Sequence, residues 1–216
     1  MAVSLGTPQD RCPLILERLA DLYPEACCSL DWNSPWQLLV ATILSAQCTD
    51  ERVNRVTPAL FERFPEAKDA AAVEPEHVEP FVRSTGFYRN KARHIVGSSR
   101  MIMSRYGGQV PCSMDELLVC PGVARKTANV VLSHAFGINA GVTVDTHVRR
   151  LSRRLGLTRQ QDPKRIEPDL MALVPQPDWE TFSIRLIFHG RAVCKARNPD
   201  CASCGIADLC PSHPGR

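Results

Sequence analysis

The sequence has no run of apolar residues long enough to cross a bilayer. Its longest nearly apolar stretch, residues 38–44, falls far short of the ~20 residues that a spanning helix needs. A cationic start leading into an apolar stretch is missing too. The N-terminus offers Ser4, Thr7, Pro8, Gln9 and Asp10, which argues against a secretory leader. Strand signals are scarce, because Val142 and Val144 alternate over too short a span to pair. No tandem repeat, low-complexity segment or flexible Gly/Ser linker appears, so any two domains should pack closely. The net charge of +3 is too small to name a polyanionic partner by itself.

What is present describes an ordinary globular chain. With 216 residues, 44% hydrophobic and 23% charged, it is one domain or two small ones, able to bury a core without disulfides. Helical periodicity dominates. Val53, Val56, Leu60, Phe61 and Phe64 fall at helical spacing, as do Ala92, Ile95, Val96, Ile102, Met103 and Tyr106. Ala128, Val131, Leu132 and Ala135 repeat the pattern, and Trp179, Phe182, Leu186 and Ile187 follow it again. These stripes read as core faces, and the expected fold class is all-α. Ser113 followed by Glu116 is a capping-box signal for a short helix through Leu117 and Leu118. Pro168 is expected to delay or bend a helix over residues 162–174. The acidic segment 67–79, with Pro75 inside it, reads as a solvated connection.

Charge is unevenly placed. Residues 1–110 carry a net −1 and residues 111–216 a net +4, the positives falling as Arg125-Lys126, Arg149-Arg150, Arg153-Arg154 and Arg191/Lys195/Arg197. Separate basic pairs suit a surface touching phosphates at several points, and equally a set of solvated helix faces.

The ten cysteines form two populations. Cys12, Cys27, Cys28, Cys48, Cys112 and Cys120 are scattered without ligand spacing, several of them in apolar surroundings, and are expected to be free buried thiols. The other four crowd together as Cys194-x6-Cys201-x2-Cys204-x5-Cys210. Four thiolates in one short loop can converge on a metal centre. Structural zinc and a 4Fe-4S cluster both use such a set. Only one short Cys-x2-Cys knuckle is present, which leaves iron–sulfur slightly ahead.

The most informative stretch is residues 117–129, Leu-Leu-Val-Cys-Pro-Gly-Val-Ala-Arg-Lys-Thr-Ala-Asn. A short capped helix runs into Pro121-Gly122-Val123, and a second helix starts near Ala124. Gly122 permits a tight reversal, and the N–H groups opening the second helix make an anion site suited to a DNA phosphate. The plain alternative is a turn between two packed helices. Lys126 falls in the first turn beside Arg125, where the helix dipole and the neighbouring charge disfavour a cation and leave more free amine. A nucleophilic lysine needs that, although a phosphate contact or a solvated group would use the same residue. Asp145, in Gly-Val-Thr-Val-Asp-Thr-His from position 141, is an excellent N-cap for a helix over residues 146–155. Capping and catalysis can coexist, because one carboxylate oxygen can cap while the other faces a cleft.

These residues together carry a family pattern. The ordered set Leu-Ser-Ala-Gln-Cys-Thr-Asp (44–50), Thr-Gly-Phe-Tyr-Arg-Asn-Lys-Ala (85–92), the 121–129 hairpin, Val-Asp-Thr-His (144–147) and the four-cysteine loop resembles endonuclease III. That family comprises iron–sulfur DNA glycosylase/AP lyases of the helix–hairpin–helix superfamily, and the match runs from about Leu14 to Cys210. The resemblance implies a bifunctional enzyme of base excision repair that removes oxidised pyrimidines from damaged double-stranded DNA and nicks the strand. The damaged nucleotide must first leave the stack. Lys126 would attack C1′ and form a Schiff base, Asp145 would support the attack, and β-elimination would follow.

By the same resemblance Gln47 would fill the gap left by the flipped nucleotide, and Thr85 and Phe87 would wedge against the opposite strand. Gly122, Val123, Ala124 and Arg125 would meet the backbone in the hairpin. His147 would be a DNA contact or a structural histidine, and Arg191, Lys195 and Arg197 would grip phosphate around the cluster loop. Cys194, Cys201, Cys204 and Cys210 would hold the 4Fe-4S cluster. Two domains are implied: a six-helix domain over residues 28–139, and a cluster domain from residues 1–27 plus 140–216, with the active site in the cleft between them. The expected protein is a monomer without membrane attachment, cytoplasmic, and nucleoid-associated if bacterial.

Three departures from the family pattern stand out. Ala124 replaces the second hairpin glycine; alanine can donate the same N–H, but it disfavours positive φ and brings a methyl group toward the phosphate, which would reduce DNA affinity or turnover. Cys120 replaces a leucine, and the 137–141 loop lacks a frequent proline. Two other readings compete: a relative specialised for another lesion or mismatch and acting mainly as an AP lyase, and a non-catalytic DNA-binding iron–sulfur redox sensor.

Overall fold

The computed structural model describes residues 5–215; residues 1–4 and 216, including the Ser4 used in the leader reading, lie outside the described residues. Eleven α-helices occur among the described residues, with no strand. They are α1 (Pro8–Leu22), α2 (Pro35–Leu44), α3 (Asp50–Arg63), α4 (Ala67–Ala71), α5 (Pro75–Val82), α6 (Tyr88–Arg105), α7 (Met114–Leu118), α8 (Arg125–Phe136), α9 (Thr146–Arg154), α10 (Pro163–Leu173) and α11 (Trp179–Ala192). The fold is all-α, and no helix among the described residues is long and apolar enough to cross a membrane.

Local chemistry starts many of these helices. Thr7 caps α1 in a reciprocal box: its hydroxyl accepts from the Asp10 N–H at 3.3 Å, and the Asp10 carboxylate accepts from the Thr7 N–H at 2.8 Å. Ser34 caps α2, and Ser113 caps α7 by accepting from the Glu116 N–H.

Two expectations need correction. Segment 67–79 contains α4 and the start of α5, and Ala67 and Ala70 are buried. Pro75 sits in the first turn of α5, where its missing N–H costs nothing, so it opens the helix and does not interrupt one. Pro168 lies inside α10, which starts directly after its Asp162 cap. Burial of Ile166 and Leu170 on either side sustains the helix past the lost hydrogen bond.

The chain divides into two compact units. Residues 29–140 form one, carrying α2 to α8. Its centre is α2, buried from Trp36 through Leu44 except at Gln37, with α3, α6 and α8 packed around it. The other unit joins residues 1–28 to 141–216. There Cys12, Ile15 and Leu19 of α1 pack into a core with Val148 and Leu151 of α9, Ile166 and Leu170 of α10, and Phe182 and Leu186 of α11.

Close approach of α9 and α11 depends on Gly190. A Cβ there would lie 2.8 Å from His147 Nδ1 and 3.0 Å from Arg150 Nη2. Gly190→Ala is therefore expected to destabilise the protein by about 1–3 kcal/mol through overpacking. Urea unfolding would show this as a lower midpoint at an unchanged slope, whereas an unaltered midpoint would contradict the packing account.

Candidate DNA-repair active site and cluster centre

The hairpin joins α7 to α8. Gly122 makes the reversal at φ +78°, and an added Cβ would lie 2.7 Å from the His94 side chain. The turn is closed by the Val123 N–H, which donates to the Cys120 carbonyl at 3.1 Å. Ser98 Oγ steadies the turn from α6 by donating to the Pro121 carbonyl at 2.6 Å. The Val123 side chain is buried and anchors the tip. Ala124 is the N-cap residue at φ −95°, an ordinary backbone conformation, and supplies no capping oxygen. The departure from glycine therefore costs no backbone strain here, and the first turn of α8 opens without a side-chain cap. Lys126 is exposed in that first turn beside exposed Arg125.

Asp145 is half-buried and caps α9: its Oδ1 accepts from the Val148 N–H at 2.8 Å. Arg150 donates through Nη2 to His147 Nδ1 at 3.1 Å, so that nitrogen carries a lone pair. Burial holds the His147 pKa below its ordinary value, against the pull of Asp145. His147 thus has structural work between α9 and Gly190.

Gln47 and Phe87 are exposed and hold positive φ, +54° and +48°. Non-glycine residues in that region are strained, and such strain clusters at functional sites. Phe87 is 65% exposed, so it is not a core aromatic. Thr85 departs from the expected wedge: it is 3% exposed and its hydroxyl donates inward to the Val82 carbonyl at 2.8 Å. It supports the Phe87 loop from beneath. Lys91 had no role in the sequence reading, yet it is 4% exposed and its Nζ lies 2.8 Å from both the Leu44 and Thr85 carbonyls.

Arg191, Lys195 and Arg197 are exposed near the four-cysteine loop. A cavity of about 750 Å³ beside them is lined by Thr146, Arg149, Arg150, Arg153, Arg154 and Gln161, among others. Arg150 and Arg154 are fixed by carbonyls, Arg150 at Gly190 and Cys194 and Arg154 at Lys195 and Ala196. Arg149 and Arg153 project from the exposed face of α9 without a carboxylate partner among the described residues.

Cys194, Cys201, Cys204 and Cys210 line one cavity of about 220 Å³, walled by Leu151, Leu155, Val193 and Ile206, and all four thiols are free. Among the described residues no three His, Cys, Asp or Glu side chains converge on a single-ion site. A zinc ion would need its sulfurs about 2.3 Å from one point, whereas an iron–sulfur cluster spreads its irons among thiolates set around a cavity. The donor set therefore fits the cluster. Hydrogen bonds already aim at the sulfurs: Arg154 Nη1 lies 3.3 Å from Cys194 Sγ, and His189 Nε2 lies 3.4 Å from Cys204 Sγ. Tyr23 Oη lies 2.9 Å from His189 Nδ1. Burial pushes the Cys204 and Cys210 thiols up, a cost that iron ligation would offset.

The Asp145 cap separates fold from chemistry. Asp145→Ala should cost about 0.5–2 kcal/mol of stability, and Asp145→Asn, which can still cap, much less. Equal losses in thermal unfolding would show that the carboxylate is not held by its capping role.

Comparison with known proteins agrees with this geometry. The pattern of the HhH-GPD superfamily of base excision DNA repair proteins matches residues 40–176. The iron–sulfur binding domain of endonuclease III matches residues 194–210. Endonuclease III of Synechocystis sp. is 62% identical over 208 residues, covering 96% of this chain and 95% of the relative. That of Bacillus subtilis is 49% identical over 196 residues, covering 90% and 89%. Among solved structures, a non-covalent endonuclease III–DNA complex superposes with a TM-score of 0.91 at 45% identity, covering 96% of this chain and 97% of that one. A trapped endonuclease III–DNA covalent intermediate also gives 0.91, at 44% identity, covering 96% and 98%. The chain belongs to the endonuclease III family of helix–hairpin–helix, iron–sulfur base excision DNA repair enzymes.

Proposed function

We infer that this protein removes oxidised pyrimidines from damaged double-stranded DNA and then nicks the strand as an AP lyase. The observation that carries this reading is the exposed Lys126 in the uncapped first turn of α8, directly after the Pro121-Gly122 hairpin. The hairpin backbone at Gly122–Arg125 fits a phosphate without reading base edges. With the nucleotide swung out, Lys126 Nζ attacks C1′, the glycosidic bond breaks and the base leaves with its electron pair and a proton. The amine on C1′ opens the sugar to an imine. Loss of a C2′ proton then expels the 3′ phosphate by β-elimination. The Asp145 carboxylate accepts a proton or stabilises positive charge developing on the sugar.

In this reading Gln47 and Phe87 enter the space vacated in the duplex, their exposure and strained backbone suiting side chains held out from the surface. Arg191, Lys195 and Arg197 hold phosphates, and Arg149 and Arg153 extend that basic surface along α9. The cluster, held by Cys194, Cys201, Cys204 and Cys210, supplies a scaffold for the basic loop and a redox-active centre. The protein acts as a monomer in the cytoplasm.

Two measurements test this. On a duplex containing thymine glycol, Lys126→Ala should bind as the parent does while strand cleavage falls by about 10³-fold or more. Parallel loss of binding and cleavage would contradict the nucleophile assignment, and cleavage at the parent rate would overturn it. On undamaged duplex, Arg149→Ser with Arg153→Ser should reduce the slope of log K against log salt by ~2, one unit per lost phosphate contact. An unchanged slope would remove α9 from the DNA surface.

A further inference from the structure

Gln47 and Phe87 lie forty residues apart in the chain, yet their loops share one anchor. Lys91 stands in the first turn of α6 and is 4% exposed. Its Nζ donates at 2.8 Å to the carbonyl of Leu44, the last residue of α2, and at 2.8 Å to the carbonyl of Thr85. Leu44 lies three residues before Gln47, and Thr85 two before Phe87. No carboxylate pairs with this ammonium among the described residues. A buried cation held by two carbonyl dipoles, with the Cys48 thiol nearby and no carboxylate, is expensive, and an apolar side chain of similar length would fill the same space at lower cost. The charge is therefore explained by what it holds.

What it holds is two strained turns. Gln47 and Phe87 adopt φ +54° and +48°, conformations that persist only where the surroundings fix them. Around Gln47 the Cys48 N–H donates to the Ser45 carbonyl at 3.1 Å, and around Phe87 the Lys91 N–H donates to the Phe87 carbonyl at 3.1 Å. Beyond these short local bonds, the Nζ bridge joins one turn to the other by hydrogen bonds to both. We propose that Lys91 is a positioning residue that couples the Gln47 and Phe87 loops, so that the two side chains enter the duplex as one unit. This rests on the reading of Gln47 and Phe87 as inserting residues. A single ammonium fixes the spacing of the two loops, so a shift in one is transmitted to the other through Leu44 and Thr85.

A double-mutant cycle reads the coupling directly. Gln47→Ala, Phe87→Ala and the double variant are made in the parent and in Lys91→Met, all as cluster-loaded full chains. Nucleotide extrusion is followed by stopped-flow fluorescence of 2-aminopurine beside an abasic-site analogue in duplex DNA. The expected result is that each single variant slows extrusion, that the two effects are non-additive with Lys91 present, and that they become additive in Lys91→Met. Lys91→Met alone should slow extrusion by about 10- to 100-fold. Additive effects with Lys91 present would overturn the coupling and leave the insertion reading standing. Single variants without effect would overturn both. Hydrogen exchange on the unmodified protein gives a test independent of any variant's folding. The Cys48 and Lys91 amides should open with one shared free energy, and clearly different values would refute the coupling.

Discussion

The cluster unit is held in shape by guanidinium groups bonded to backbone carbonyls. Arg150 and Arg154 of α9 reach the carbonyls of Gly190, Cys194, Lys195 and Ala196, so one helix grips both the end of α11 and the first turn of the cysteine loop. Arg11 of α1 is buried and donates to the Leu155 and Leu209 carbonyls, pinning the start of the chain to its last described segment. Loop carbonyls buried near a metal centre need donors, and cations supply the strong ones while balancing thiolate charge. The same α9 begins at Asp145, whose carboxylate caps it. One helix thus runs from the cysteine loop, where Arg154 bonds the Lys195 and Ala196 carbonyls, to Asp145 at its other end, which is its cap.

The other unit solves a comparable problem with a lysine. Helix ends leave carbonyls without intrahelical partners, and α2 ends at the buried Leu44. Lys91 satisfies Leu44 and Thr85 together, and the residues that follow those two carbonyls are the ones carried on strained backbone. In both units the candidate functional groups sit within a turn of a helix terminus, where backbone direction is set by a cap, a glycine or a buried cation. Lys126 follows the Gly122 turn, Asp145 is itself a cap, and Gln47 and Phe87 follow bridged carbonyls.

The helical class was legible because apolar residues recur at helical spacing from Val53 to Ile187, and periodicity survives any tertiary detail. The cysteine loop and the hairpin were legible because each is local, with spacing alone bringing the chemistry together. Asp145 as a cap could be read from residue type, since its partner is only three residues away. The misreadings arose where meaning depends on distant context. Proline at 75 marks a helix start when the face that follows it is buried, as Val78 and Val82 are, and the burial is not local information. Thr85 is a wedge only by resemblance to the family, and its own side chain turns inward toward Val82. Lys91 belongs to the 85–92 stretch, but its role is not legible there: its partners lie 47 and 6 residues away, and nothing in a lysine's identity says it is buried. Ala124 carries no positive φ, which the turn places at Gly122 instead, so the backbone part of that expectation falls while the methyl group still faces the phosphate question.

In the proposed reaction the amine at the start of α8 becomes covalently joined to DNA. Borohydride reduction during turnover of a thymine glycol duplex, followed by proteolysis and mass spectrometry of the cross-linked peptide, tests it most directly. The account predicts a nucleotide adduct on the peptide containing Lys126 and on no other lysine-bearing peptide. An adduct on a different residue, or none from protein that holds its cluster and binds the duplex, would contradict it.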